Sequence, residues 1–183
     1  AWIFLNQVSY GLSNNFSIGF GLIPTFIFGT AEIIPLWLTP KFSFPYKNQK
    51  GAFGIGTIFF AGLGLESSED NFGIVYATNT FGSRDKQLTL GLGLGYSRTG
   101  GFSNYPAFNL GGLVRTGKKW AFVTENYLFS TGYESLGIIS AGGRYMGKRL
   151  AIDMGGFIPI ATDQDFYAML PWLSISVPFG KHY

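Results

Sequence analysis

Four charged residues, Arg115, Glu125, Arg144 and Asp153, fall where a period of two turns them to the same side of neighbouring segments, with Lys41 a fifth from farther round. Their signs alternate from segment to segment. About a turn at Gly147-Lys148, position 142 falls opposite 153, which sets Arg144 diagonal to Asp153 and within reach of a long side chain. The chemistry this offers is charge pairing: an interior network first, and a selectivity or gating element for a small solute second. Nucleophilic catalysis is poorly served, because the one histidine, His182, has no orienting acid or nucleophile recognisable beside it. One histidine and no cysteine also leave no metal-ligand spacing. The cluster Glu66-Ser67-Ser68-Glu69-Asp70 reads as a solvated acidic loop ahead of a weak calcium site. Gly54-Ile55-Gly56 and Gly91-Leu92-Gly93-Leu94-Gly95 repeat every second residue and lack the following helix and Lys-Ser or Lys-Thr of a phosphate loop. No catalytic residue, metal or cofactor is therefore expected.

The elements that must position these charges are strands. Only 13% of the 183 residues are charged, against about 25% in an ordinary soluble domain, while 46% are hydrophobic and 18% aromatic. No run approaches the roughly 20 apolar residues of a membrane-spanning helix. Instead the chain divides into eleven alternating segments of about ten residues: 2–12, 16–28, 33–45, 51–63, 71–81, 87–97, 106–116, 120–130, 136–146, 150–161 and 166–179. Between them lie clusters of Gly, Asn, Ser, Asp and Lys, the residues that accept turn geometry. The whole chain, 1–183, reads as one domain. A net charge of +3, with its cations scattered through turns, gives nucleic-acid binding little support.

In segment 87–97, Leu88, Leu90, Leu92, Leu94 and Tyr96 point one way, and Thr89, Gly91, Gly93, Gly95 and Ser97 the other. A soluble barrel fills its inside with large apolar groups. Here the second face is too small for that, so the aliphatic set is assigned outward to lipid and the small or polar set inward to a narrow lumen. The same division sends Tyr145, Leu150, Ile152, Met154, Ile158, Ile160, Leu173, Ile175 and Val177 outward, and Arg144, Ala151, Asp153, Gly155, Ser174 and Ser176 inward. Segments 71–81 and 120–130 are ambiguous, the first readable in either phase and the second placing aromatics on both faces. An inward placement of the charges also follows from cost, since Arg or Lys in mid-membrane is unfavourable by about 2–4 kcal/mol. Trp120, Tyr145, Trp172 and Phe179 are the candidate interfacial aromatics.

Eleven strands in simple succession leave the first and last parallel, whereas bacterial single-chain barrels have even numbers of antiparallel strands. A strand upstream of Ala1 makes twelve, and merging two ambiguous segments makes ten; twelve is the expectation. The start Ala1-Trp2-Ile3-Phe4 carries no signal sequence, so any such signal is expected to be removed or to lie upstream. If the last strand ends at the periplasm, alternate turns gather the basic residues at one rim. Glu32, Glu66, Glu69, Asp70, Glu134, Asp163 and Asp165 then gather at the other.

Trp172 to Phe179 resembles the C-terminal strand of bacterial outer-membrane barrels, although Gly180-Lys181-His182-Tyr183 follows it. Asn6-Gln7-Val8-Ser9-Tyr10-Gly11, Phe81-Gly82-Ser83-Arg84-Asp85 and Ser174-Ile175-Ser176-Val177-Pro178-Phe179-Gly180 look like segments of small outer-membrane β-barrels of the Bacteroidetes group. The resemblance implies an antiparallel up-and-down transmembrane barrel in the bacterial outer membrane, in contact with lipid. It supplies no activity. The expected role is a non-enzymatic structural or accessory subunit of an outer-membrane assembly, with a membrane-protein partner. A narrow, porin-like pore for small solutes and a soluble lipocalin-like carrier are the alternatives. A lipid-modifying barrel enzyme is disfavoured by the lack of a usable His near Ser or Asp.

Overall fold

The computed structural model describes residues 6–23, 34–47, 50–63, 71–130, 135–161 and 168–178. Among these, the chain forms eleven strands and no helix: β1 (Asn6–Gly11), β2 (Phe16–Leu22), β3 (Ile34–Pro45), β4 (Gly51–Leu63), β5 (Phe72–Gly82), β6 (Lys86–Ser97), β7 (Gly101–Arg115), β8 (Trp120–Ser130), β9 (Ser135–Met146), β10 (Ala151–Ala161) and β11 (Leu170–Ser176). Every strand pairs antiparallel with its chain neighbours, giving one up-and-down sheet in the order β1 to β11. β1 and β11 consequently run in the same direction. No ladder joins them among the described residues, but Gln7–Ser9 and Ser174–Pro178 line a common cavity of about 810 Å3. The sheet therefore curls until its two edges face each other across a gap.

Local chemistry sets the turns. At the end of β5, Gly82 adopts a φ of 109°, a left-handed value that glycine reaches without strain. The Ser83 N–H then donates to the Lys86 carbonyl at 2.8 Å, closing a hairpin over Arg84-Asp85. The β6–β7 hairpin is tighter than its Ser-, Thr- and Gly-rich sequence suggests. β7 begins at Gly101, not near Pro106, because Gly101 takes a φ of 69° and the Ser97 hydroxyl accepts from the Gly100 N–H at 3.0 Å. The five extra residues fit through a register shift between Leu94 and Tyr96. In β3 the ladder to β4 lapses between Leu38 and Lys41, where Pro40 has no N–H to give.

The two faces differ as the alternation requires. On β6, Leu88, Leu90, Leu92 and Leu94 are 40–50% exposed on the convex face, while Gln87 and Thr89 line a concave cavity. Register carries the same parity round the sheet. Val8, Tyr10, Phe42, Phe44, Phe53, Ile55, Val75, Phe108, Leu110, Phe122, Met154, Leu173 and Ile175 are all exposed on the convex side. This settles the two ambiguous segments: β5 turns Val75 and Phe81 outward, and β8 turns Trp120, Phe122 and Leu128 outward. Ala121 is the one buried hydrophobic residue described, so no conventional apolar core fills the inside.

Three glycines face aromatic rings directly across the ladder: Gly21 opposite Trp37, Gly56 opposite Tyr76 and Gly73 opposite Tyr96. Each ring lies where a Cβ would project, the Tyr76 hydroxyl 2.8 Å from that point at Gly56 and the Tyr96 hydroxyl 2.6 Å from it at Gly73. A glycine inside a strand loses entropy and packing, and a ring laid over it restores the packing. Gly73→Val is expected to destabilise the fold by about 1–3 kcal/mol, because its side chain would press on the Ile58 carbonyl of β4 and displace the Tyr96 ring. Urea titration of the folded protein checks this, with Gly95→Val as a control, since a Cβ at Gly95 meets nothing nearer than 3.8 Å.

Candidate functional site

Arg144 and Asp153 sit on β9 and β10, either side of a turn in which the Gly147 N–H donates to the Leu150 carbonyl at 2.8 Å. That leaves Lys148-Arg149 as the two central residues and pairs 144 with 153 directly. The expected register, with 142 opposite 153, is thus corrected by two residues, because the hairpin pivots between Lys148 and Arg149. Direct opposition brings the guanidinium fork onto the carboxylate: Arg144 Nε donates to Asp153 Oδ1 and Nη2 to Oδ2, both at 2.7 Å. The Asp153 side chain is only 10% exposed and that of Arg144 37%. The two-pronged geometry fixes both side chains, and removal of the guanidinium would leave an enclosed carboxylate unsatisfied.

The pair forms part of the wall of a concave cavity of about 630 Å3, spanned from β6 to β11. Glu125 of β8 stands in the same wall and accepts a hydrogen bond from the Tyr127 hydroxyl. Phe157 and Trp172 supply an apolar side, and Thr89, Asn109 and Ser174 supply neutral polar groups. Of the residues named from sequence, the structure therefore gathers Glu125, Arg144 and Asp153. It does not gather the rest. Arg115 ends β7 at the rim, where Nη1 meets Asp85 Oδ1 at 2.7 Å and Nη2 donates to the Lys118 carbonyl at 2.8 Å. Its partner is a carboxylate in the β5–β6 turn, which a count of inward strand positions passes over. Lys41 points to the concave side of β3, with its Cε 3.2 Å from where a Gly54 Cβ would stand. β3 lies six strands from β9, so Lys41 adds nothing to the pair.

Among the aromatic candidates, Trp120 and Tyr145 face each other across β8 and β9 on the convex side, ring centroids 5.3 Å apart. The Lys119 ammonium lies 5.9 Å from the Tyr145 ring centre. Trp172 takes the other face and lines the cavity, opposite Gly155. Its neighbours Ser174 and Ser176 share that face, so the period of two already carried the signal. Phe179, His182 and the acidic residues expected at the second rim lie outside the described residues. Tyr127, Asn109 and Phe157 were not singled out from sequence, although parity from Glu125, Arg115 and Asp153 reaches each of them.

The arrangement can hold a fixed ion pair, present a second carboxylate, and admit a small polar guest. Among the described residues no three His, Cys, Asp or Glu side chains cluster to hold a metal ion, and no helix is long and apolar enough to cross a membrane. Comparison with protein-family models, with curated proteins and with solved structures finds no match for this chain.

Proposed function

We propose that this chain is a transmembrane β-barrel of the bacterial outer membrane, acting as a non-enzymatic structural or accessory subunit. The observation that carries the reading is the convex face, on which exposed Leu, Phe, Ile and Val predominate and the one charge among the described strand residues is Lys86, at the rim where β6 begins. Water tolerates no such wall on a soluble domain, whereas a barrel in lipid requires it. The parallel sense of β1 and β11, which no ladder joins among the described residues, supports a twelfth strand antiparallel to both in the gap between them. Unpaired edges in hydrocarbon are costly enough to demand such closure. The resemblance to Bacteroidetes barrels agrees with this reading.

The bidentate Arg144–Asp153 pair supports the sealed, structural role, since it occupies the inner wall with groups that neutralise each other. A narrow pore is the second reading, favoured by the cavity beside Glu125. Purified protein in a planar bilayer separates the two. A scaffold gives no stepwise current, and stepwise openings enlarged by Arg144→Ala replace it with the pore. The membrane assignment is tested beforehand: protein that remains folded and monodisperse after detergent removal overturns it in favour of a soluble carrier. Purification in mild detergent is expected to retain a membrane-protein partner.

A further inference from the structure

The five hairpin turns at one end of the sheet, those joining β1–β2, β3–β4, β5–β6, β7–β8 and β9–β10, form an incomplete ring, tied from hairpin to hairpin and open at the gap between β1 and β11. Main-chain bonds link successive hairpins: the Ser43 N–H to the Asn15 carbonyl at 2.7 Å, Gly82 to Lys50 at 3.0 Å, Arg115 to Asp85 at 2.7 Å and Met146 to Lys119 at 2.7 Å. On this ring the chain concentrates its cations. Nine of its thirteen Lys and Arg stand in or beside these turns, against a single carboxylate, Asp85. That carboxylate is already engaged by Arg115. Arg84 with Lys86, Lys118 with Lys119, and Lys148 with Arg149 project exposed from three successive hairpins. Main-chain bonds hold the turns that carry these like charges side by side, so their fields add and the ring gains from an external anion.

Its position specifies the anion. The ring lies where the apolar convex wall ends, and Trp120 and Tyr145 mark that end on the convex side with Lys119 beside the Tyr145 ring. An aromatic pair next to exposed ammonium groups is the arrangement that suits a lipid headgroup layer. We infer that the basic rim docks the headgroups of anionic phospholipids, its cations spaced round the barrel to hold a ring of them. This rests on the membrane reading, and it predicts something that reading does not: a choice among lipids.

The test uses the full chain folded in uncharged detergent micelles, with brominated phosphatidylglycerol or brominated phosphatidylcholine added to quench the share of the fluorescence from its four tryptophans that Trp120→Phe removes. At low salt, half-quenching is expected at a roughly tenfold lower fraction of the anionic lipid. Raising the salt until the screening length falls to about 3 Å should erase the difference. Replacing Lys118, Lys119, Lys148 and Arg149 by Gln should also erase it, while quenching by phosphatidylcholine remains. Equal quenching by the two lipids in the unaltered protein, or a preference that survives high salt, overturns the inference and leaves the membrane reading standing. Absence of quenching by either lipid overturns both. Salt acts on the unaltered chain, so the result does not depend on the variant folding.

Discussion

Arg144→Ala is expected to be the most damaging single truncation in the molecule, lowering the unfolding free energy by roughly 3 kcal/mol. The loss comes less from the ion pair's own strength than from what remains. Asp153, 10% exposed at its side chain, is left as a carboxylate with neither water nor a guanidinium fork to satisfy it. Asp153→Ala is expected to be milder, because the more open Arg144 can turn toward Glu125 across the cavity. Removing both together should cost less than the sum of the two, and a double-mutant cycle by urea unfolding in vesicles measures the coupling. A sum that adds within about 0.5 kcal/mol would mean that the two charges are independent and that the bidentate contact contributes nothing.

Leu92→Arg should cost about 2–4 kcal/mol in a bilayer, because Leu92 sits mid-strand in the convex wall, half exposed, between Ala77 and Phe108. Thr89→Lys, three residues away but lining the cavity, should stay within about 1 kcal/mol, since its ammonium enters a polar space that already contains Glu125. The contrast is the informative quantity. On a soluble protein the order reverses or vanishes: an exposed Leu→Arg change away from any special contact falls within about 0.5 kcal/mol. Equal tolerance of Leu92→Arg and Thr89→Lys in vesicles would therefore remove the lipid-facing assignment of the convex wall.

Much of the fold can be read from the alternation of single residues. Leu88 to Leu94 against Thr89 to Gly95 defines β6 and both its faces, and the same rule places Asp153, Ser174 and Ser176 inside and Met154, Leu173 and Ile175 outside. What alternation cannot supply is register. Strand parity survives a shift by two, so Arg144 and Asp153 share a face whether diagonal or opposite. Only the turn's hydrogen bond, from Gly147 to Leu150, decides which. Arg115 shows a second limit. Its face follows from parity, but its depth does not, and at a strand end the nearest carboxylate belongs to another hairpin's turn. Trp172 shows the reverse case, where a general preference of tryptophan for interfaces outweighed the pattern of its own strand. The gap between β1 and β11 is legible only as parity, since an odd count says that the edges run parallel without saying that they face each other.

The sequence distance across the Arg144–Asp153 pair, nine residues within one hairpin, bears on how the chain is built. Both charges and the whole of their contact belong to a unit that can form before any other strand is in place. β9 and β10 can therefore join the sheet as a preassembled ribbon whose opposite charges have already cancelled. The Arg115–Asp85 contact, thirty residues apart across two hairpins, has no such head start. It can form only once the second ribbon has docked beside the first, and so reports on assembly instead of preceding it.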